Sequence, residues 1–306
     1  MRYLGIDIGG TFIKYALLDE QAQIFEKSKV KTPLEEGDTL QDFMEILEKI
    51  ITTFKERIDG IAISAPSILE GENGRARTGG ALHYLTGTNL VQLLEERFDL
   101  PVSIQDDGKS AALAELWKGN LKGCKNGAVM LLGTAVGGGL VLDGKLYSGS
   151  LCAAGEFSFM ALDDEKIDQE ESYFGTNGGV PGLLKLVSQE TKLPLSELDG
   201  VKVFEMANRG DERVLVALQK YTRRLAVQMY NLQALLDLDI VAIGGGISQQ
   251  PLLLSYIQKN ITECCECNPA KALAPFIPTP TITTCRFYND SNLIGALYHH
   301  LQTKNA

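Results

Sequence analysis

Tyr3-Leu-Gly-Ile-Asp-Ile-Gly-Gly-Thr-Phe-Ile-Lys-Tyr-Ala-Leu-Leu18 decides the fold: two apolar, strand-like runs meet at a hinge made of Asp7, Gly9, Gly10 and Thr11. Leu4, Ile6 and Ile8 alternate before the glycines and Phe12 to Leu18 is β-rich after them, so the glycines sit where two strands turn. With no Cβ in the way, the N–H groups of Gly9, Gly10 and Thr11 can close on an anionic oxygen, and the Thr11 hydroxyl adds a donor. Asp7 is the carboxylate that such a phosphate seat needs to hold Mg²⁺, directly or through water. Lys14, on the second strand, is counted with this group. An ordinary Gly-Gly hairpin with a solvated Asp fits the same residues.

A second stretch has the same plan. Ala128-Val-Met-Leu-Leu-Gly-Thr-Ala-Val-Gly-Gly-Gly-Leu-Val-Leu-Asp-Gly144 runs from an apolar strand through a Gly133-Thr134 corner to Gly137, Gly138, Gly139 and another apolar strand. Two phosphate-type hairpins about one domain length apart predict two similar α/β lobes facing each other across a cleft.

With 306 residues and 44% apolar content the chain can bury a large core. No apolar run approaches the roughly 20 residues of a membrane span, and the N-terminus opens on a strand pattern instead of a basic, apolar leader, so a cytoplasmic location and no membrane partner are expected. A net charge of −10 argues against nucleic acid as a partner, because phosphate backbones are gripped by clustered Lys and Arg. ATP is compatible with it, since glycine N–H groups and Mg²⁺ supply a local positive field. Six cysteines in this length make no disulfide scaffold. Cys124, Cys152 and Cys285 read as small buried hydrophobes. Cys264, Cys265 and Cys267 contain one C-x-x-C spacing without a second ligand pair nearby.

In chain order, residues 23–30 read as a third strand. Leu40, Phe43, Met44, Leu47, Ile50, Ile51 and Phe54 then recur at helical spacing behind Asp38 or Thr39 as N-cap. Residues 60–66 form a short buried strand. Residues 67–88 are too polar and glycine-rich for regular structure and read as a surface loop, with His83 at the surface. Asn89 caps a helix over 90–98, which does not exclude a ligand contact. Residues 101–105 are a strand and 108–118 an Ala-rich helix, so Asp106 and Asp107 lie on a strand-to-helix turn, where an α/β fold places catalytic carboxylates. One can cap the helix while the other faces a ligand. Asp211 opens a long helical segment that leads to a buried strand ending in Gly244, Gly245 and Gly246, before a helix started by Pro251.

Asp7-Ile-Gly-Gly-Thr11, Asp106-Asp107, Leu132-Gly-Thr134 with Gly137-Gly-Gly139, Gly155-Glu156 and Ile243-Gly-Gly-Gly246 resemble, in that order, the motifs of the ROK family of bacterial sugar kinases and sugar-responsive repressors. The similarity runs from Met1 to about His300 and is greatest to the zinc-free kinases, β-glucoside kinases among them. It implies a two-lobed actin-like ATPase fold (ribonuclease H-like, as in hexokinase, Hsp70 and actin). One lobe would be residues 1–117 with 290–306, the last helix packing back on it; the other would be 118–289.

The activity implied is transfer of the ATP γ-phosphoryl group to a hydroxyl, the 6-hydroxyl expected, of a hexose or β-glucoside, with Mg²⁺. Asp107 would be the general base. Gly80 in the 67–88 loop, Asn89, Asp106 and Glu156 would contact sugar, and Gly133, Thr134 and Gly244 to Gly246 would contact ATP. The family usually has Asn at positions 106 and 109; here they are Asp106 and Lys109, and Asp106→Asn is expected to be mild. Ser158 and Phe159 replace a Gly-His pair and the cysteine-rich zinc loop is missing, so no structural zinc is expected; Phe159 would offer an apolar face to a bulkier sugar. A homodimer is expected, as relatives commonly dimerise. The alternatives are a sugar-responsive repressor, which would need an added N-terminal helix-turn-helix domain, and a non-catalytic sugar sensor; a sugar-independent ATPase would not need Asp107 and Glu156 at sugar-site positions.

Overall fold

The computed structural model of the protein describes residues 1–70, 74–80, 82–267, 269 and 277–304. Strand β1 (Arg2–Ile8) pairs antiparallel with β2 (Phe12–Asp19), and β2 with β3 (Ile24–Lys31). Helix α1 (Leu40–Phe54) starts at Thr39, whose hydroxyl takes the Asp42 N–H while the Asp42 carboxylate takes the Thr39 N–H at 2.9 Å, a reciprocal cap. β4 (Gly60–Ala65) lies parallel to β1. Next come two short strands, β5 (Ile68–Glu70) and β6 (Arg75–Thr78), then α2 (Leu90–Phe98). β7 (Val102–Asp106) is parallel to β4, completes the order β3-β2-β1-β4-β7, and runs directly into α3 (Asp107–Lys118).

From Tyr3 to Ile8 every residue of β1 is buried, because both faces of the sheet are covered. Leu4, Ile6 and Ile8 pack in one cluster with Phe43, Leu47 and Ile51 of α1 and Leu90 and Leu94 of α2. Tyr3, Ala16, Leu18 and Ala62 pack on Leu293, Ala296 and Leu297 in the last helix of the chain.

The second sheet repeats the plan. β8 (Gly127–Leu132) pairs antiparallel with β9 (Val136–Leu142), and β10 (Lys145–Tyr147) stands outside β9. The helices that follow are α4 (Phe174–Gly178), α5 (Val180–Thr191), α6 (Gly200–Asn208) and α7 (Glu212–Leu236), the last capped by Asp211. β11 (Ile240–Gly244) is parallel to β8; after α8 (Pro251–Glu266), β12 (Thr281–Thr284) is parallel to β11, giving β10-β9-β8-β11-β12. Helix α9 (Ser291–Lys304) ends the described chain.

The chain divides into two compact units: Met1–Lys118 with Leu146–Ala154 and Asn289–Ala306, and Gly119–Lys145 with Gly155–Tyr288. Residues 146–154 therefore fall in the first unit, where the sequence had placed them in the second. Leu146, Ser148 and Cys152 share a cavity wall with Leu69 and Ile104, a long-range packing that no local pattern announces. A correction concerns residues 67–88, expected to be irregular, of which 71–73 and 81 lie outside the described residues. β5 and β6 pair with each other there, with Leu69 and Ala76 buried; runs of three and four residues are too short to display an alternation. Cys285 is buried as expected, whereas Cys124 and Cys152 are only half-buried.

His300 of α9 is fully buried, its Nδ1 2.9 Å from the Ser103 hydroxyl and its ring edge-on to Tyr3 at 5.3 Å. Nε2 has no partner among the described residues. Burial, helped by the nearby charges of Lys304 and His299, pushes its pKa down from 6.5 to about 4. The unfolded chain therefore takes up this proton first. The neutral ring's contribution is complete above about pH 6.5 and is lost as pH falls towards 4, by about 3 kcal/mol in all. Urea unfolding of His300→Gln, compared with the parent from pH 7 to pH 4.5, should show a shallower loss of stability; equal slopes would show that this histidine does not carry the effect.

Candidate active site

The β1–β2 register sets Asp7 opposite Lys14, so both side chains leave the same face of the sheet. Asp7 is buried. Its Oδ2 lies 3.2 Å from the Lys14 ammonium, and its Oδ1 accepts a hydrogen bond from Asn292 Nδ2 at 3.0 Å. Asn292, in the first turn of α9, is a site residue that the sequence did not reveal: nothing local connects it to Asp7, 285 residues away.

The hinge differs in one respect from the expected three-amide seat. The Gly9 N–H donates to the Phe12 carbonyl at 3.1 Å and so closes the turn, which leaves Gly10 and Thr11 as the exposed hinge residues. Thr32 braces the hinge from β3's end, its hydroxyl donating to the Gly9 carbonyl at 2.6 Å and its N–H to the Thr11 carbonyl at 3.1 Å. A Cβ on Gly10 would meet nothing within 4 Å, so the space above the turn is open. With both Asp7 oxygens already engaged, this carboxylate suits Mg²⁺ held through water; direct ligation would compete with Lys14.

In the second unit the Gly133 N–H is likewise turned inward, donating to the Ala135 carbonyl at 3.0 Å, while Gly133 and Thr134 are exposed. The glycine run after β11 lies against this corner. Gly245 has φ +94°, and a Cβ there would sit 2.2 Å from the Leu132 carbonyl oxygen, so only glycine lets the two strand ends approach. Gly246 is exposed with nothing within 4 Å of a built Cβ. Gly245 and Gly246 thus extend the Gly133-Thr134 corner as a stretch without side chains, suited to a nucleotide, whereas Gly244 is buried, where a Cβ would lie 2.5 Å from Leu131 Cδ2 and 3.1 Å from Cys285 Sγ.

Glu156 is half-buried at the start of a single 3₁₀ turn, Phe157–Phe159. The Ser158 hydroxyl is tied to the backbone of Val136, accepting from its N–H at 3.1 Å and donating to its carbonyl at 3.0 Å. Phe159 is 69% exposed. In the first unit, Asn89 Oδ1 accepts the Gln92 N–H at 3.1 Å and caps α2, and Gly80 stands exposed at φ +56°.

The turn at β7–α3 separates the two aspartates. Asp106 is buried; its Oδ1 accepts the Lys109 N–H at 3.0 Å, which caps α3, and lies 3.4 Å from the Lys109 ammonium. Asp107 is the first helical residue and half-buried. The buried pair argues against a mild Asp106→Asn: Lys109 is itself 1% exposed, and neutralising one partner of a buried ion pair is costly.

Asp7, Lys14, Gly80, Asn89, Asp106 and Asp107 belong to the first unit, and Gly133, Thr134, Glu156 and Gly244 to Gly246 to the second. Two α/β units of one sheet plan, each with a glycine-built hairpin at its first strand, are the actin-like ATPase-type fold. Within it, the chain belongs to the ROK family, whose family model matches residues 3–302. It is 28% identical over 305 residues to a β-glucoside kinase of Klebsiella pneumoniae, covering 99% of this chain and 97% of that one. Among solved structures it is similar to a ROK family protein of Streptococcus pneumoniae TIGR4 in complex with sucrose, with a TM-score of 0.86, 27% identity and coverage of 100% and 99%. A ROK family glucokinase of Streptomyces griseus in complex with glucose and AMPPNP shares the fold at a TM-score of 0.83, with 20% identity and coverage of 99% and 100%. Among the described residues, no helix is long and apolar enough to cross a membrane.

Proposed function

We propose that this chain is an ATP-dependent sugar kinase that passes the γ-phosphoryl group of ATP to a hydroxyl of a hexose or β-glucoside, with Asp107 as general base. The observation that carries the assignment is the division of labour at β7–α3. The Asp106 carboxylate is committed to Lys109 and to the cap, so proton acceptance falls to its neighbour. As the sugar oxygen attacks phosphorus, its proton passes to the Asp107 carboxylate and the bond to the ADP oxygen breaks. Gly10, Thr11, Gly133 and Thr134 would receive phosphate oxygens, Gly244 to Gly246 the nucleoside, and Gly80, Asn89, Asp106 and Glu156 the sugar.

Asp7, steadied by Lys14 and Asn292, would hold Mg²⁺, which offsets phosphate charge when bound. ADP release measured with glucose, N-acetylglucosamine and cellobiose tests the reading. Release that depends on one of these sugars supports it; ATP turnover indifferent to every sugar points to a plain ATPase and overturns it.

Metal removal should separate the two kinds of site. Where the family resemblance places a Gly-His pair, Ser158 is bound to backbone and Phe159 is exposed. Chelator treatment should therefore stop phosphorylation, with recovery on adding Mg²⁺, and leave the melting temperature unchanged. Stoichiometric zinc by elemental analysis, or melting in chelator alone, would contradict this.

A further inference from the structure

Among the described residues, Lys109 is the one large cation among the largest fully buried side chains, and nothing in the phosphoryl-transfer chemistry calls for a charge at that point. It contacts Asp106 twice, through its backbone N–H and its ammonium, both at Oδ1. The ammonium contact fixes the direction of the carboxylate as well as its charge. A buried ion pair of this kind rarely exceeds well-packed apolar residues in stability, so its presence calls for another benefit.

The pair is not sealed away. It lines a cavity of about 310 Å³ in the first unit, whose wall also includes Gln105, Ser148, Leu69 and Ile104. That size and mixture of apolar wall and a few polar groups is what a small polar ligand requires. Asp106 immediately precedes Asp107, so whatever Asp106 grips is held within one residue of the proposed base.

We infer that Lys109 is a positioning residue for the acceptor: it holds Asp106 as a fixed, accept-only carboxylate that selects acceptors presenting a hydroxyl donor at that point. This rests on the sugar-kinase reading above. A neutral amide at position 106 would both donate and accept, whereas a carboxylate pinned by an ammonium only accepts. The two side chains must then act as a unit, and recognition of the acceptor should be lost with either one.

The test is steady-state kinetics of Lys109→Met, Asp106→Asn and Asp106→Asn/Lys109→Asn on whichever panel sugar the parent phosphorylates, with melting temperatures measured alongside. Lys109→Met should raise the acceptor KM about tenfold or more while the KM for ATP stays within about twofold. The double variant, which removes both charges of the pair, should recover melting temperature relative to both single variants yet keep the weakened or altered acceptor preference. An unchanged acceptor KM in Lys109→Met, or a double variant with the parent's acceptor preference, overturns the inference and leaves the pair as a fold stabiliser. If Lys109→Met does not fold, the double variant decides alone. A parent that phosphorylates no sugar at all instead refutes the kinase reading, a separate outcome.

Discussion

Asp107→Asn should lower sugar phosphorylation by about 10²-fold or more, with nucleotide affinity and melting temperature close to those of the parent. The size follows from the role. An amide has nearly the volume of the carboxylate but cannot accept the hydroxyl proton, so the loss falls on the chemical step and not on binding. The structure sharpens the expectation for stability, because the α3 cap is supplied by Asp106 and survives the change. Single-turnover phosphorylation, nucleotide titration and a thermal melt together check it. Turnover near the parent level would remove Asp107 from the mechanism. A variant that only melts earlier would make the residue structural.

What was legible in the sequence was local. Helices over 40–54 and 90–98 come out at the expected bounds because apolar spacing and a capping side chain, Thr39 or Asn89, sit within a few residues of each other. The two hairpins were legible for the same reason, a strand pattern broken by paired glycines. The parts that were missed depend on partners far along the chain. β5 and β6 are defined by each other, and residues 146–154 by packing on Leu69 and Ile104. Asn292 reaches Asp7 only after α9 has docked. The Asp106–Lys109 pair shows a different limit: its spacing was visible, but its burial was not, and burial is the reason to expect a cost from Asp106→Asn.

Gly295→Ala should be the most damaging single-methyl change at the α3–α9 contact, and two opposed effects decide its sign. Within a helix, replacing Gly by Ala normally stabilises by about 1 kcal/mol through backbone propensity. Here α9 crosses α3 so closely that a Cβ on Gly295 would lie 1.7 Å from the Ser110 carbonyl oxygen and 2.4 Å from its carbon. Those are backbone atoms of another helix and cannot rotate away. Ala111, Ala112 and Ala114 are fully buried, so α3 itself presents the small residues that such an approach needs. Overpacking typically costs about 1–3 kcal/mol and occasionally more, and a rigid backbone contact lies at the upper end, so steric cost exceeds propensity. Forcing the helices apart also moves both ends of the site: α3 begins at Asp107, and α9 carries Asn292 to Asp7. The expected result is a fall in melting temperature of roughly 4–8 °C, with phosphorylation reduced in the protein that remains folded. A melting temperature equal to or above the parent's would mean that α9 can shift without cost, and would detach the placement of Asn292 on Asp7 from this helix crossing.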